Sequence, residues 1–150
     1  MKPIFIIAAV ISISFASHAQ TTEDSVKAAV NLLFDGMKTS DAAKIQSAFS
    51  DSAILQTIGR LKEGSEGIKN ESIKEFVASV SKLTKGDADE RIVFETIKID
   101  GPLASVWTPY KFYYKGQFSH CGVDSYQLVR IKGVWKIQYL IDTRRKQPCE

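Results

Sequence analysis

The sequence predicts an α+β domain with its helices first and a long antiparallel sheet after them. Three observations carry that prediction. Val26, Ala29, Val30, Leu33, Phe34 and Met37 recur at the spacing of one helical stripe. From Glu90 onward the apolar period changes to two. Asp100-Gly101-Pro102, Lys115-Gly116 and Lys132-Gly133 then divide that second half into strand-sized pieces. Helices followed by a meander is the order of an α+β chain.

The chain has 150 residues, which suits one domain with a core of its own. Its first nineteen residues read as a secretory signal peptide rather than as part of that domain. Lys2 precedes an apolar run from Ile4 to Ala16, and Ser17-His18-Ala19 supplies small residues for cleavage. The expected division is a signal peptide at 1–19 and one domain at 20–150, with the mature chain exported to the periplasm or secreted. The run is short for a membrane span. Its removal takes one lysine from 20 basic and 17 acidic side chains, leaving a mild positive balance. Nothing in that balance calls for nucleic acid or an anionic membrane as partner.

Along the domain, Glu23 and Asp24 suit the start of a helix running to about Met37. Thr39-Ser40-Asp41 interrupts and recaps the chain, and a shorter helix is predicted to turn Ile45, Ala48 and Phe49 inward. Ala53 to Ile58 reads as a short strand, and Gly59 to Gly67 as a loop or frayed hairpin. Ser72 and Glu75 fit a capping box for a third helix carrying Ile73, Phe76, Val77 and Val80. Strands follow at Arg91–Asp100, Leu103–Tyr114, Gln117–Ile131 and Val134–Arg145. Pro109 demands an edge position or a bulge in the second of these.

Trp107 to Arg145 holds both tryptophans, all five tyrosines and His120. A two-residue turn at Lys132-Gly133 sets Tyr126 opposite Tyr139, Leu128 opposite Ile137 and Asp124 opposite Ile141. His120, Asp124, Tyr126 and Leu128 then share the aromatic-rich face, which is predicted to be the interior. Val123, Asp142, Ser125 and Leu140 fall on the other face. Lys115-Gly116 permits two registers. A two-residue turn sets Trp107 opposite Asp124; a three-residue turn with a bulge sets Thr108 opposite Asp124 and Tyr110 opposite Gly122.

A carboxylate on an apolar face costs several kcal/mol unless it is paired or reached by water. Asp124 is therefore either a pocket carboxylate with a raised pKa, suited to a general base, or a structural aspartate bonded to a tyrosine. His120 lies about 13 Å away along the strand, too far for a His–Asp dyad without a bulge at Gly122. Trp107, Tyr110, Asp124, Tyr126 and Tyr139 are the candidate ligand-binding residues, with His120 near the mouth. Asp124 and His120 are the candidate catalytic residues.

Cys121 and Cys149 either pair as a disulfide, worth about 3 kcal/mol in the chain-entropy model, or remain free thiols. Cys121 beside His120 points to the opposite face of the strand and makes a weak thiol–imidazole pair. No phosphate-cradling glycine loop, Cys-x-x-Cys motif, histidine pair or nucleophile elbow is present. The sequence calls for no cofactor and no metal.

Ala104-x-Val106-Trp107-x-x-Tyr110, Ser119-His120-Cys121-Gly122-Val123-Asp124, Gly133-x-Trp135-Lys136-Ile137 and Asp142-Thr143-Arg144 resemble the nuclear transport factor 2-like superfamily. Over about Asp24 to Arg145 the chain looks like its small exported bacterial members labelled putative lumazine-binding. The resemblance implies a cone, in which a strongly curved antiparallel sheet wraps the helices around a hydrophobic cavity, and it implies that homodimers are common. The superfamily includes ketosteroid isomerases, dehydratases, cyclases and binding proteins, and it shares no motif that fixes a catalytic role on Asp124 or His120. Three functions follow as expectations: a domain binding a small, partly aromatic or apolar ligand; a proton-transfer enzyme with Asp124 as base; or a structural homodimer with a filled interior.

Overall fold

The computed structural model describes residues 22–62 and 64–149. The signal peptide predicted at 1–19 lies outside the described residues. Helix α1 (Thr22–Thr39) is followed by α2 (Ala42–Ala48), β1 (Phe49–Arg60), β2 (Glu66–Glu71) and α3 (Ile73–Val80). Then come β3 (Ala88–Ile92), β4 (Thr96–Asp100), β5 (Leu103–Tyr114), β6 (Gln117–Ile131) and β7 (Val134–Thr143). The strands form one curled sheet in the order β2-β1-β7-β6-β5-β3, with β4 also paired to β5, and the sheet does not close on itself.

The helices start and stop as the local chemistry dictates. Asp41 caps α2 by accepting from the Lys44 amide at 3.0 Å, and Ser72 caps α3 by accepting from the Glu75 amide. Phe49 does not continue α2. Its backbone is already extended and it opens β1, while its ring stays buried. The buried stripe of α1, from Val26 through Val30 and Leu33 to Met37, packs with Ile45 of α2 onto the concave face of the sheet. Tyr126, Leu128 and Ile137 meet them from that face.

Three features add to a plain antiparallel meander. β1 runs parallel to β7, a pairing that requires a long crossover, which the chain between them supplies. The loop or frayed hairpin expected at Gly59–Gly67 is a hairpin, and it adds β2 to the outer edge of β1. The strand expected at Arg91–Asp100 is broken into β3 and β4 beside Pro109. The Pro109 carbonyl accepts from the Val93 amide at 3.0 Å, but Pro109 has no N–H to return.

Register decides what faces inward. Lys115-Gly116 and Lys132-Gly133 are both two-residue turns at positive φ. A bulge at Ser119 brings Thr108 opposite Asp124 and Tyr110 opposite Gly122; this is the pairing expected of a three-residue turn, reached here by a two-residue turn and a bulge inside β6. A second bulge, at Gln138, corrects the β6–β7 pairing. Leu128 still pairs with Ile137, but Tyr126 pairs with Leu140 and Asp124 with Asp142. The bulge turns Leu140 and Asp142 inward and leaves Tyr139 pointing away from the pocket. Gly122 makes no bulge. A Cβ there would lie 1.8 Å from the Thr143 carbonyl oxygen, so glycine is what lets β7 approach β6 at this level.

Candidate functional site

A pocket of about 290 Å³ lies between the helices and the concave face of the sheet. The helix side is apolar: Leu33, Phe34 and Met37 from α1, and Phe76 and Val80 from α3. The sheet side carries the polar groups, beside Leu55, Phe112 and Leu140: Glu90 from β3, Tyr110 from β5, His120 and Asp124 from β6, and Asp142 from β7. Glu71, at the end of β2, and Arg144, just beyond β7, complete the polar side.

Two carboxylates anchor separate networks. Asp142 accepts from the Thr57 hydroxyl, from Arg144 Nε at 2.7 Å and from the Tyr110 hydroxyl at 3.1 Å. The Tyr110 hydroxyl also lies 2.9 Å from the Thr143 carbonyl, so two acceptors share its proton. Arg144 Nη2 donates to the Thr57 hydroxyl at 3.0 Å. Burial opposes the Arg144 cation, but its hydrogen bond to Asp142 and that group's charge hold its pKa above the ordinary value.

Asp124, 3 % exposed, has no cation of its own among the described residues. Its Oδ2 accepts from the Tyr126 hydroxyl at 3.0 Å and from the Thr108 hydroxyl at 3.3 Å. Burial pushes its pKa up to about 7, and the negative charge of Asp142 pushes the same way; bonds from Tyr126, Thr108 and Glu90 oppose. Burial raises Glu90 well above its ordinary value, helped by the charges of Asp124 and Asp142 and by its bond to Asp124. Glu90 and Asp124 bond to each other, so burial and like charge raise the two carboxyls together, as a pair.

The sequence of residues 21–139 matches the family described as "Putative lumazine-binding". The chain belongs to this family. No curated protein matches it in sequence. Solved structures supply the fold, which is nuclear transport factor 2-like. A protein of unknown function from Shewanella baltica, called NTF2-like, superposes with a TM-score of 0.62 at 17 % identity, covering 85 % of this chain and 98 % of that one. A domain of unknown function with a cystatin-like fold from Nostoc punctiforme gives 0.64 at 19 %, covering 85 % and 80 %. At these identities the likeness is one of fold alone.

In this family member the structure brings Tyr110, His120 and Asp124 to the pocket. Tyr126 stands behind Asp124, fully buried, and reaches the pocket through that carboxylate. Two predicted ligand residues lie elsewhere. Trp107 is 45 % exposed on the outer face of β5, because the bulge at Ser119 pairs it with Ser125 instead of Asp124. Tyr139 is carried off the interior face by the Gln138 bulge and donates to Gln56 at 2.7 Å. His120 makes no hydrogen bond to Asp124. Its ring packs on Phe112 and against the edge of Tyr110, with Nδ1 3.0 Å from the Ser119 hydroxyl. Burial lowers its pKa, as does Arg144. Cys121 and Cys149 form a disulfide with Cα atoms 5.9 Å apart, and Cys121 turns away from the pocket.

Glu90, Asp142, Arg144, Glu71 and Thr57 are the site groups that sequence reasoning did not nominate. A signal existed for Asp142: unbroken alternation along β7 places Leu140 on the polar face. A phase change between Ile137 and Leu140 restores it to the core and takes Asp142 with it. Glu90 carries no comparable signal, because its place depends on how β3 docks on β5. Among the described residues, no group of three or more His, Cys, Asp or Glu is placed to hold a metal ion.

Proposed function

We propose that residues 20–150, after loss of 1–19, form an exported small-molecule-binding domain that holds a partly aromatic or apolar ligand in this pocket. One observation carries the reading. An apolar helix wall faces a polar wall whose key carboxylate, Asp124, is already held by Tyr126 and Thr108. Pre-paired polar groups beside an open apolar space suit holding a ligand in one orientation. A filled interior would have suited a scaffold. The family description, which names lumazine binding, supports a small-molecule ligand. The disulfide supports an oxidising compartment, and hence export. Leu103 and Trp107, exposed together on the outer face of β5, support a homodimer through that face.

The second reading is proton transfer with Asp124 as general base. The contact with Glu90 and a pKa of about 7 favour it, because such a group can both take and return a proton at neutral pH. Native mass spectrometry of protein purified from its host tests the first reading. The expected result is a bound mass released on denaturation and lost in Val80→Trp, which fills the pocket. A bound mass that survives this substitution would place the ligand elsewhere, and turnover of the released compound would favour the enzyme.

A further inference from the structure

The charges lining the pocket do not balance. Among the described residues, four carboxyls line it, those of Glu71, Glu90, Asp124 and Asp142, against a single guanidinium and no lysine. That guanidinium is committed: Arg144 gives Nε to Asp142 and Nη2 to Thr57. Subtracting the Arg144–Asp142 pair leaves Glu71 at the rim and the Glu90–Asp124 pair within. Even with one proton shared by that pair, the unpaired charge is negative. The remaining polar neighbours do not neutralise it. The Tyr126, Thr108 and Tyr110 hydroxyls all donate to carboxylates or a carbonyl already, and His120 is held toward its neutral form by burial and by Arg144. Opposite this negative end stands the helix side, with Leu33, Phe34, Met37, Phe76 and Val80.

We propose that the pocket selects an organic cation, with a flat or apolar body against the helices and an ammonium or amidinium group at Glu90 and Asp124. This rests on the small-molecule reading above and names the class of ligand. A cation placed there satisfies both carboxyls at once and lets the proton between them pass to solvent, so Glu90 and Asp124 become two acceptors for two N–H donors. A neutral ligand of the same shape would leave the unpaired charge as it is. An anionic one would meet like charge in a partly desolvated site.

Isothermal titration of the full mature chain with tryptamine, tryptophol and indole-3-acetate tests this, since the three share one flat body and differ in head-group charge. Tryptamine is expected to bind at least about tenfold tighter than tryptophol, with indole-3-acetate weakest. Glu90→Gln and Asp124→Asn, each checked for a native melt, should each shrink the tryptamine preference to about threefold or less. Equal or tighter binding of tryptophol overturns the charge inference and leaves the pocket reading standing. Tightest binding of indole-3-acetate overturns it in favour of Arg144 as the head-group partner. A tryptamine preference undiminished in both variants overturns the assignment to Glu90 and Asp124. If none of the three binds, the inference fails, while a retained native ligand would still support the pocket.

Discussion

Asp124 and Asp142 are direct cross-strand partners on β6 and β7, both buried, and only Asp142 has a cation. The inequality has a consequence for pH. With Asp124 titrating at about 7 when folded and near its ordinary 3.8 when unfolded, the native chain keeps a proton that the unfolded chain has lost. Stability from this group is full below about pH 4 and falls as pH rises through about 7, by roughly 2–4 kcal/mol. Glu90, raised in the same way, adds to the fall. His120, with a lowered pKa, works oppositely and loses stability as pH drops through about 6.5. Asp124→Asn should therefore fold, trail the parent slightly at about pH 5 and exceed it at about pH 8 in urea unfolding. An equal loss at both pH values would mean that its ionisation is not what matters.

Tyr126→Phe removes one of the two hydroxyls that favour the Asp124 carboxylate. The Asp124 pKa should rise further above about 7, and stability should drop by roughly 1–2 kcal/mol. Carbon-detected NMR titration of the side-chain carboxyl would measure the shift directly. An unchanged midpoint would remove Tyr126 from the control of Asp124.

Much of the fold was legible because it rests on short-range rules. The stripe on α1, the caps at Asp41 and Ser72 and the two turns at Lys115-Gly116 and Lys132-Gly133 each depend on a few neighbouring residues. The site was legible only in part, for a physical reason. Asp124 and Tyr126 follow from strand alternation, but Asp142, Tyr139 and Trp107 change face through bulges at Gln138 and Ser119, and a single extra residue inverts all that follows. Glu90 enters from a strand whose docking no local pattern encodes.

Trp107→Ala, on the outer face, is expected to leave retained ligand unchanged. Tyr110→Phe, which removes a hydroxyl from Asp142 and Thr143, should reduce it several-fold. The comparison reads bound mass per chain. The reverse order would restore Trp107 as a ligand contact.

Gly122→Ala forces a methyl group into the Thr143 carbonyl, which must move together with the strand end bearing Asp142 and Arg144. The substitution should destabilise the chain by roughly 3 kcal/mol or more, visible as a lower melting temperature. A melt within a degree of the parent would show that β7 can yield there.

The Cys121–Cys149 bridge ties the tail to the middle of β6. Reductant should lower the melting temperature of the parent by several degrees and leave Cys149→Ser unmoved. Identical parent melts with and without reductant would count against any stabilising role.

The break beside Pro109 reaches beyond the pocket. An open sheet offers its two outermost strands as templates on which another chain could add itself strand by strand. Here one border is split into two five-residue pieces, because a proline next to it cannot complete the ladder. The other border is a six-residue strand bearing Glu66, Lys69 and Glu71. Neither presents a long, flat, apolar row of unpaired amides, so the molecule can keep its sheet open around a pocket without inviting its own copies to polymerise along the rim.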